Sequence, residues 1–331
     1  MNAEPQQDAK PRLKVAFARF WRGFDPQNNL FVRLLRASYD VQVGDSGDFV
    51  FYSGFSGALP PGRYVKIFYT GENVRPPWGE CDWAFSFDYD DHPRHYRLPN
   101  YVFEYGAGDS LIKDPAHTAR LKPGKSKFCN FIYGRPHHFR DAFFDQLSRC
   151  RTVDAPGRCR QNTAPIGAAT DPHQSRYAPD WAASKVAWLA PYRFTVAFEN
   201  SSHPGYTTEK IYQAMQAGSI PIYWGDPWVG RDFNPKSFIN YHDHEEAVRA
   251  RLPRWLMRSA VLERVVEALY IRPQTTKRVI RRVIEIAENE DLYDQVLREP
   301  WFHGNRPPPC FDMNRLTQRL QDIIHAAPGG G

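Results

Sequence analysis

FTVAFENSSHPGYTTEKIYQAMQAGSIPIYWGDPWVGRDFNPKSFINYHD, residues 194–243, reads as strand, loop, helix and strand. Thr195–Phe198 is a short apolar run bounded by polar residues. Thr208–Ala217 has helical spacing, with Ile211, Ala214 and Met215 on one face. Gly218 marks a helix stop, and Ile220–Trp224 is a second apolar run. A strand–helix–strand unit of this kind crosses over right-handedly, which makes both strands parallel. The loop Glu199–Thr207 then leaves the carboxyl end of a strand and enters a helix N-terminus. Open α/β sheets bind ligands there, and free backbone N–H groups and the helix dipole favour phosphate. Lys210 stands in the first turn of that helix, where the dipole disfavours a cation, so its presence needs a reason.

Around this stretch the chain alternates strands and helices. Leu13–Phe20, Asp48–Tyr52, Val65–Tyr69 and Trp83–Phe87 read as strands, and Leu30–Tyr39 as a helix between the first two. No GxGxxG follows the first strand, so the dinucleotide fingerprint is absent. Tyr101–Lys127, rich in Pro, Gly and His, has little periodicity and contains or borders an interdomain connection. Ser126–Tyr133 opens a second half as a strand. His138–Arg149 follows as a helix, Cys150–Pro179 as loop and turn, and Asp180–Leu189 as a helix. After the central stretch, His242–Glu245 reads as loop. Met257–Tyr270 and Thr276–Glu288 read as helices with arginine faces, and Arg306–Pro309 as a break before a last helix, Asn314–His325. The expected domains are residues 1–124, 125–305 and a C-terminal helix and tail over 306–331. Residues 1–12 are expected to be disordered and the closing PGGG flexible. By the residues alone this is two doubly wound α/β domains, each taking ligand at the carboxyl ends of its strands.

Composition narrows the function. A chain of 331 residues, 42% hydrophobic, is long enough for two cores. No apolar run approaches the ~20 residues needed to cross a bilayer. The first residues, MNAEPQQDAKPRLK, carry no apolar signal core, so a cytoplasmic location is expected. Five cysteines (Cys81, Cys129, Cys150, Cys159, Cys310) show no CxxC spacing and read as reduced thiols, with a Cys150–Cys159 disulfide as the weaker alternative. The net charge is +6, and arginines gather over Arg249–Arg282 with apolar residues between them. Solvated helix faces are one reading. Peripheral contact with the inner face of the cytoplasmic membrane is the sharper one. No RNP-like, KH or zinc-finger pattern is present, so nucleic acid is not an expected partner.

AFENSSHPGYTTEK (197–210), followed by IPIYWGDP (220–227) and DFNPKSFIN (232–240), resembles the donor-binding signature of the α-1,3/4-fucosyltransferases, glycosyltransferase family 10. FYTGEN at Phe68–Asn73 is similar to a second motif of that family, and Arg140 in FRDAFFDQL fits a third. The likeness runs over roughly Lys14–Asp243 and thins after about Arg249. It implies a GT-B architecture: two Rossmann-like doubly wound domains facing each other across a cleft. The implied reaction is inverting transfer of L-fucose from GDP-β-L-fucose to the 3-hydroxyl of GlcNAc or Glc in an oligosaccharide acceptor containing N-acetyllactosamine or lactose, as in Lewis-type glycans of lipopolysaccharide. Glu72 would be the general base, and Arg140 and Lys210 the catalytic cations on the pyrophosphate. Asn200, Gly205, Tyr206 and Glu209 would complete the donor site, Glu209 through a sugar hydroxyl. No cofactor or metal is required under this reading; Mn²⁺ or Mg²⁺ would at most stimulate. The chain lacks the C-terminal heptad array of many bacterial members, which leaves its oligomeric state open.

Each residue also has a plainer reading. By spacing alone Glu72 is an exposed turn residue, Arg140 a surface helix arginine, Glu209 ordinary dipole complementation, Asn200 a turn former and Tyr206 a loop packer. Asp88-Tyr89-Asp90-Asp91 resembles the DxD metal motif of GT-A transferases, making a metal-dependent GT-A enzyme the runner-up, although such a cluster is more often a polar turn. His242, His244 and Glu245 lack a spaced third zinc ligand. A basic non-enzymatic binding protein is the third possibility. Trp21, Trp78, Trp83 and the Tyr89–Tyr105 segment offer rings for sugar stacking, or core.

Overall fold

The structure is a computed structural model describing residues 10–167, 181–257 and 259–327. The chain divides into two compact units. One comprises Met1–Ala107 with Pro309–Gly331, the other Gly108–Pro308.

The first unit holds a six-stranded sheet of β1 (Arg12–Ala18), β2 (Asp40–Gly44), β3 (Phe49–Tyr52), β4 (Val65–Tyr69), β5 (Trp83–Ser86) and β6 (His95–Arg97), in the order β2-β1-β3-β4-β5-β6. The second holds β7 (Lys127–Phe131), β8 (Val153–Asp154), β9 (Tyr192–Phe198), β10 (Ile220–Trp224) and β11 (Ile239–Asn240), in the order β11-β10-β9-β7-β8. Every strand pair in both sheets is parallel. In each sheet the second strand lies outside the first, and the third lies on the first strand's other flank. The direction of winding therefore reverses between β1 and β3, and again between β7 and β9. Such switch points open a crevice beyond the strands' carboxyl ends, where doubly wound folds bind ligand. β3 is buried along its length and β9 nearly so, as the apolar runs FVFY and FTVAF require of strands covered on both faces. Behind the carboxyl end of the first sheet, Phe31 packs on Phe51 (4.7 Å between ring centres) and Tyr69 on Phe103 (4.3 Å).

Several expectations need correction. β2, β6, β8 and β11 were not foreseen; three of the four run only two or three residues, and all lack the apolar content that marks the inner strands. His242–Glu245, read as loop, lies within a helix, Tyr241–Arg249. Asn240 caps it by accepting from the His242 N–H at 3.3 Å, and only Tyr241 and Val248 are buried, so no apolar stripe betrays it. Glu290–Arg298 is a further helix. The expected helix Met257–Tyr270 is instead a 3₁₀ turn (Arg254–Met257), an α-helix (Ala260–Val266) and a π-turn (Glu267–Ile271), running into helix Arg272–Glu288. Within the segment taken as irregular, Asn100–Tyr105 and His117–Leu121 are helical.

The first unit ends at Ala107 because the next segment packs into the second. Ser110 Oγ lies 2.8 Å from Tyr212 OH, and Lys113 Nζ donates to the Leu297 and Glu299 carbonyls at 2.7 and 2.6 Å. Residues 309–327 are not an independent tail. Helix Met313–His325 buries Leu316, Leu320 and Ile323, and Gln321 Nε2 donates to Ser38 Oγ at 2.9 Å. Within the segment 1–12 expected to be disordered, Lys10 Nζ donates to the Arg36 carbonyl at 2.7 Å and Arg12 opens β1. All five cysteines are free, which removes the Cys150–Cys159 alternative; only Cys150 is exposed. The expectations for residues 1–9, 168–180 (including a helix start at Asp180) and the PGGG end lie outside the described residues.

Candidate functional site

In the second unit β9 ends at Phe198, and the next side chain, Glu199, is fully buried. It is not left uncompensated. Its carboxylate accepts from the Thr208 N–H (2.8 Å), Thr208 Oγ1 (2.6 Å) and Lys210 Nζ (2.9 Å). Lys210 also lies 3.6 Å from Glu209 Oε1, and Glu209 lies 4.0 Å from Lys185 Nζ on helix Trp181–Leu189. Charges thus alternate Glu199, Lys210, Glu209, Lys185 at the start of helix Glu209–Gln216. This answers why a lysine tolerates a helix N-terminus: a buried carboxylate holds it there. Burial lifts the Glu199 carboxyl above its ordinary range, against the pull of Lys210. At Lys210 burial acts to lower the ammonium, but Glu199 and Glu209 outweigh it and the net shift is upward. Two glycines shape this corner. A Cβ at Gly225 would come 2.4 Å from Glu199 Cγ, and Gly205 adopts φ +85°, which side-chain-bearing residues resist. Thr207 Oγ1 ties the loop to the end of β10, 3.3 Å from Asp226 Oδ2.

Across the switch point, Tyr133 follows β7. Its hydroxyl accepts from the Phe198 N–H at 2.7 Å, linking the ends of β7 and β9. The Arg140 guanidinium lies 4.3 Å above the Tyr133 ring and donates to Asn200 Oδ1 (2.7 Å) and the Arg135 carbonyl (3.1 Å). Arg140 is 3% exposed, not the surface residue its spacing suggests, and its Nε has no hydrogen-bond partner among the described residues. Nor does any carboxylate there come within 4.0 Å of it. A guanidinium desolvated against neutral acceptors alone is costly, unlike the compensated Lys210. The exposed Asn200 lies beside it. Tyr206 is 1% exposed, buried within the loop and near enough to Lys210 to act on its charge. His242 braces the loop, with Nε2 3.2 Å from the Gly225 carbonyl and 3.4 Å from Ser202 Oγ.

In the first unit Glu72 occupies the turn after β4. Thr70 Oγ1 accepts from its N–H at 3.0 Å and donates to its carbonyl at 2.9 Å. The residue is exposed, and its carboxylate makes no hydrogen bond or ion pair among the described residues. Phe55 and Val74, 36% and 42% exposed, occupy the same edge of the sheet, where Gly54 abuts Val74.

The DxD reading fails on geometry. Asp88 is buried, paired with Arg75 and accepting from Ser86 Oγ at 2.7 Å, while Asp90 Oδ1 accepts from the His92 N–H at 3.0 Å within a turn. His242 and Glu245 are paired at 3.3 Å, and Glu245 is held by Arg249 at 2.9 Å. Of the proposed stacking rings, Trp78 lies against His92 at 3.9 Å and Trp83 under Arg319 at 4.7 Å, whereas Trp21 packs among Phe20, Phe24 and Phe103. Glu199, Tyr133 and Lys185 escaped the sequence reading, and His242 was weighed there only as a zinc ligand. Glu199 alone left a signal, an acid directly after a buried strand and within the same loop-to-helix unit as Lys210.

The α-(1,3)-fucosyltransferase FucT N-terminal domain model matches residues 15–104, and the glycosyltransferase family 10 (fucosyltransferase) C-terminal model matches residues 124–255, together roughly two-thirds of the chain. Among curated relatives, the α-(1,3)-fucosyltransferase FucT of Helicobacter pylori is 27% identical over 95% of this chain and 72% of its own length. The α-(1,3)-fucosyltransferase B of Drosophila melanogaster is 29% identical over 47% of this chain and 36% of its own. The GDP-fucose protein O-fucosyltransferase 3 of Bos taurus is 28% identical over 41% and 29%. Among solved structures, an α1,3-fucosyltransferase with GDP-fucose superposes with a TM-score of 0.68 at 22% identity, covering 99% of this chain and 95% of that one. The GDP complex of an α1,3-fucosyltransferase gives 0.68 at 23%, covering 99% and 94%. These likenesses fix the fold as GT-B, with two parallel-sheet α/β domains, and displace the GT-A alternative.

Proposed function

The chain belongs to glycosyltransferase family 10, and from that premise we propose that it transfers L-fucose from GDP-β-L-fucose, with inversion, to the 3-hydroxyl of GlcNAc or Glc in an N-acetyllactosamine- or lactose-type acceptor. The observation that carries the donor half is Arg140: a buried guanidinium at the β7/β9 switch point with no carboxylate among the described residues to neutralise it. An anionic diphosphate supplies that missing charge. The planar fork suits phosphate oxygens bidentately, while Asn200 and Tyr133 fix its orientation. Lys210, pre-positioned by Glu199, adds a second cation at a helix N-terminus that itself favours phosphate. Glu209 takes a sugar hydroxyl of the donor, Gly205 sets the loop's path, and Tyr206 acts on the charge of Lys210.

The chemistry is a single displacement. The acceptor oxygen bonds to the anomeric carbon as the bond to the GDP oxygen breaks, and that electron pair leaves on the diphosphate. Glu72 accepts the hydroxyl proton, a role that an uncommitted carboxylate can fill and that typically contributes ~10²–10⁴-fold. Arg140 and Lys210 stabilise charge that grows on the leaving group, which favours the transition state over the ground state. Protein cations do this work without a required metal, leaving Mn²⁺ or Mg²⁺ a stimulatory role at most. Phe55 and Val74, apolar and exposed on the Glu72 edge, offer an acceptor ring a contact surface. The test is incubation with GDP-fucose and a panel of lactose and N-acetyllactosamine acceptors, followed by linkage analysis. An α-1,3-fucosylated product is expected. An α-1,4 product would overturn the regiochemistry, and absence of any fucosylated product would overturn the acceptor class.

A further inference from the structure

The C-terminal family model stops at residue 255, and the most exposed large apolar side chains among the described residues begin there. Helix Ala260–Val266 and the π-turn Glu267–Ile271 present Val261, Val265 and Leu269 on one side, 72%, 47% and 77% exposed, at steps of four residues. Trp255 and Tyr270 add 60% and 45% exposed rings. A surface helix normally turns polar residues to water, whereas this one keeps only Leu262, Glu263 and Val266 partly covered and leaves Val261 and Val265 exposed beside Arg264.

The charges are sorted in the same way. Residues 249–272 contain six arginines against two glutamates. Both glutamates are paired with Arg249, Glu263 at 3.5 Å and Glu267 in closer contact. Exposed Arg251 and Arg264 have no acidic partner among the described residues. What remains outward is an apolar ridge with a positive fringe.

We propose that this face docks on an anionic phospholipid surface, with Val261, Val265 and Leu269 entering the headgroup–acyl boundary and the arginines meeting lipid phosphates. The pairing of an apolar stripe with unneutralised guanidiniums selects this occupant. A second copy of the chain fits less well, because a two-fold contact would bring the same arginines against one another. Among the described residues no helix is long and apolar enough to cross a membrane, so the contact is one of surface docking. The inference stands apart from the sugar chemistry.

The test is co-sedimentation of the full chain with vesicles of equimolar phosphatidylglycerol and phosphatidylcholine, against pure phosphatidylcholine. Binding to the anionic vesicles, weakened by high salt, is expected. Val261→Ser with Val265→Ser and Leu269→Ser should lower partitioning about tenfold or more. Arg251→Glu with Arg264→Glu should lower it at least as far, since each basic side chain near such a surface contributes roughly fivefold. All five positions are exposed, so melting temperature and turnover of a soluble acceptor should not change. Failure of the parent chain to bind anionic vesicles overturns the proposal, as does equal binding by the serine variant. A dimer in the absence of lipid that the serine variant abolishes would reassign the face to self-association.

Discussion

Lys210→Ala removes the ammonium from a carboxylate that has no access to water. Glu199 is fully buried, and of its three donors only the two from Thr208 would survive. Breaking a buried pair by deleting one member typically costs ~3–5 kcal/mol, because the remaining charge is desolvated without compensation. The Thr208 bonds bring the expectation toward the lower end of that range. For a unit of this size each kcal/mol is worth about 2–4 °C, so the melting temperature should fall by roughly 6–20 °C. Replacing both members, Lys210→Met with Glu199→Gln, leaves no charge behind and should recover most of that loss while still impairing transfer. The sign with pH is also fixed. Without Lys210 the buried carboxyl is pushed further up, so the penalty is largest at neutral pH and shrinks as acid protonates Glu199. Urea unfolding of the parent, single and double variants at neutral and mildly acidic pH gives all three numbers. If Lys210→Ala is as stable as the parent, or the double variant is no better than the single, the pair is not what holds the loop.

Glu72→Gln should reduce kcat by a hundredfold or more, within the ~10²–10⁴ range of a general base, with GDP affinity nearly intact; a variant keeping more than about a tenth of parental kcat would remove Glu72 from the role. GDP should raise the melting temperature in EDTA, since at ~100 times its Kd a ligand adds ~2.7 kcal/mol to stability; stabilisation only after Mn²⁺ or Mg²⁺ is added would contradict the metal-free donor site. Burial raises the Glu209 carboxyl, but Lys210 and Lys185 more than reverse this and hold it lowered to about 2. Its contribution to stability should therefore be complete above the ordinary carboxylate range and disappear as pH falls from there toward about 2, and Glu209→Gln should flatten that part of the urea-midpoint profile.

The parts of the fold that the sequence disclosed are those whose physics is local. β9 and β10 announce themselves as apolar runs, and the helix between them by the spacing of Ile211, Ala214 and Met215 with Gly218 at its end. The edge strands could not be read, since β8 and β11 are two residues long and gain their identity from neighbours. Helix Tyr241–Arg249 hid behind HDHEE, charges that serve as caps and pairs rather than as a stripe. Lys210 and Arg140 were legible as candidates, but their electrostatics were not. Lys210 stood out as a cation at a helix start whose reason was hidden, because its partner Glu199 lies eleven residues away on the far side of a loop, and Arg140 looked like surface because its burial depends on Tyr133 and Asn200. Charge compensation between distant segments is a property of the fold and leaves no spacing to find.

The central claim is that Arg140 holds the diphosphate of the donor, and titration calorimetry of Arg140→Ala with GDP and with guanosine tests it most directly. Loss of a charge-assisted contact of ~1.5–3 kcal/mol predicts GDP binding weaker by roughly 10- to 150-fold, with guanosine, which has no phosphate, unchanged. Equal losses for the two ligands, or GDP bound as tightly as by the parent, would contradict it.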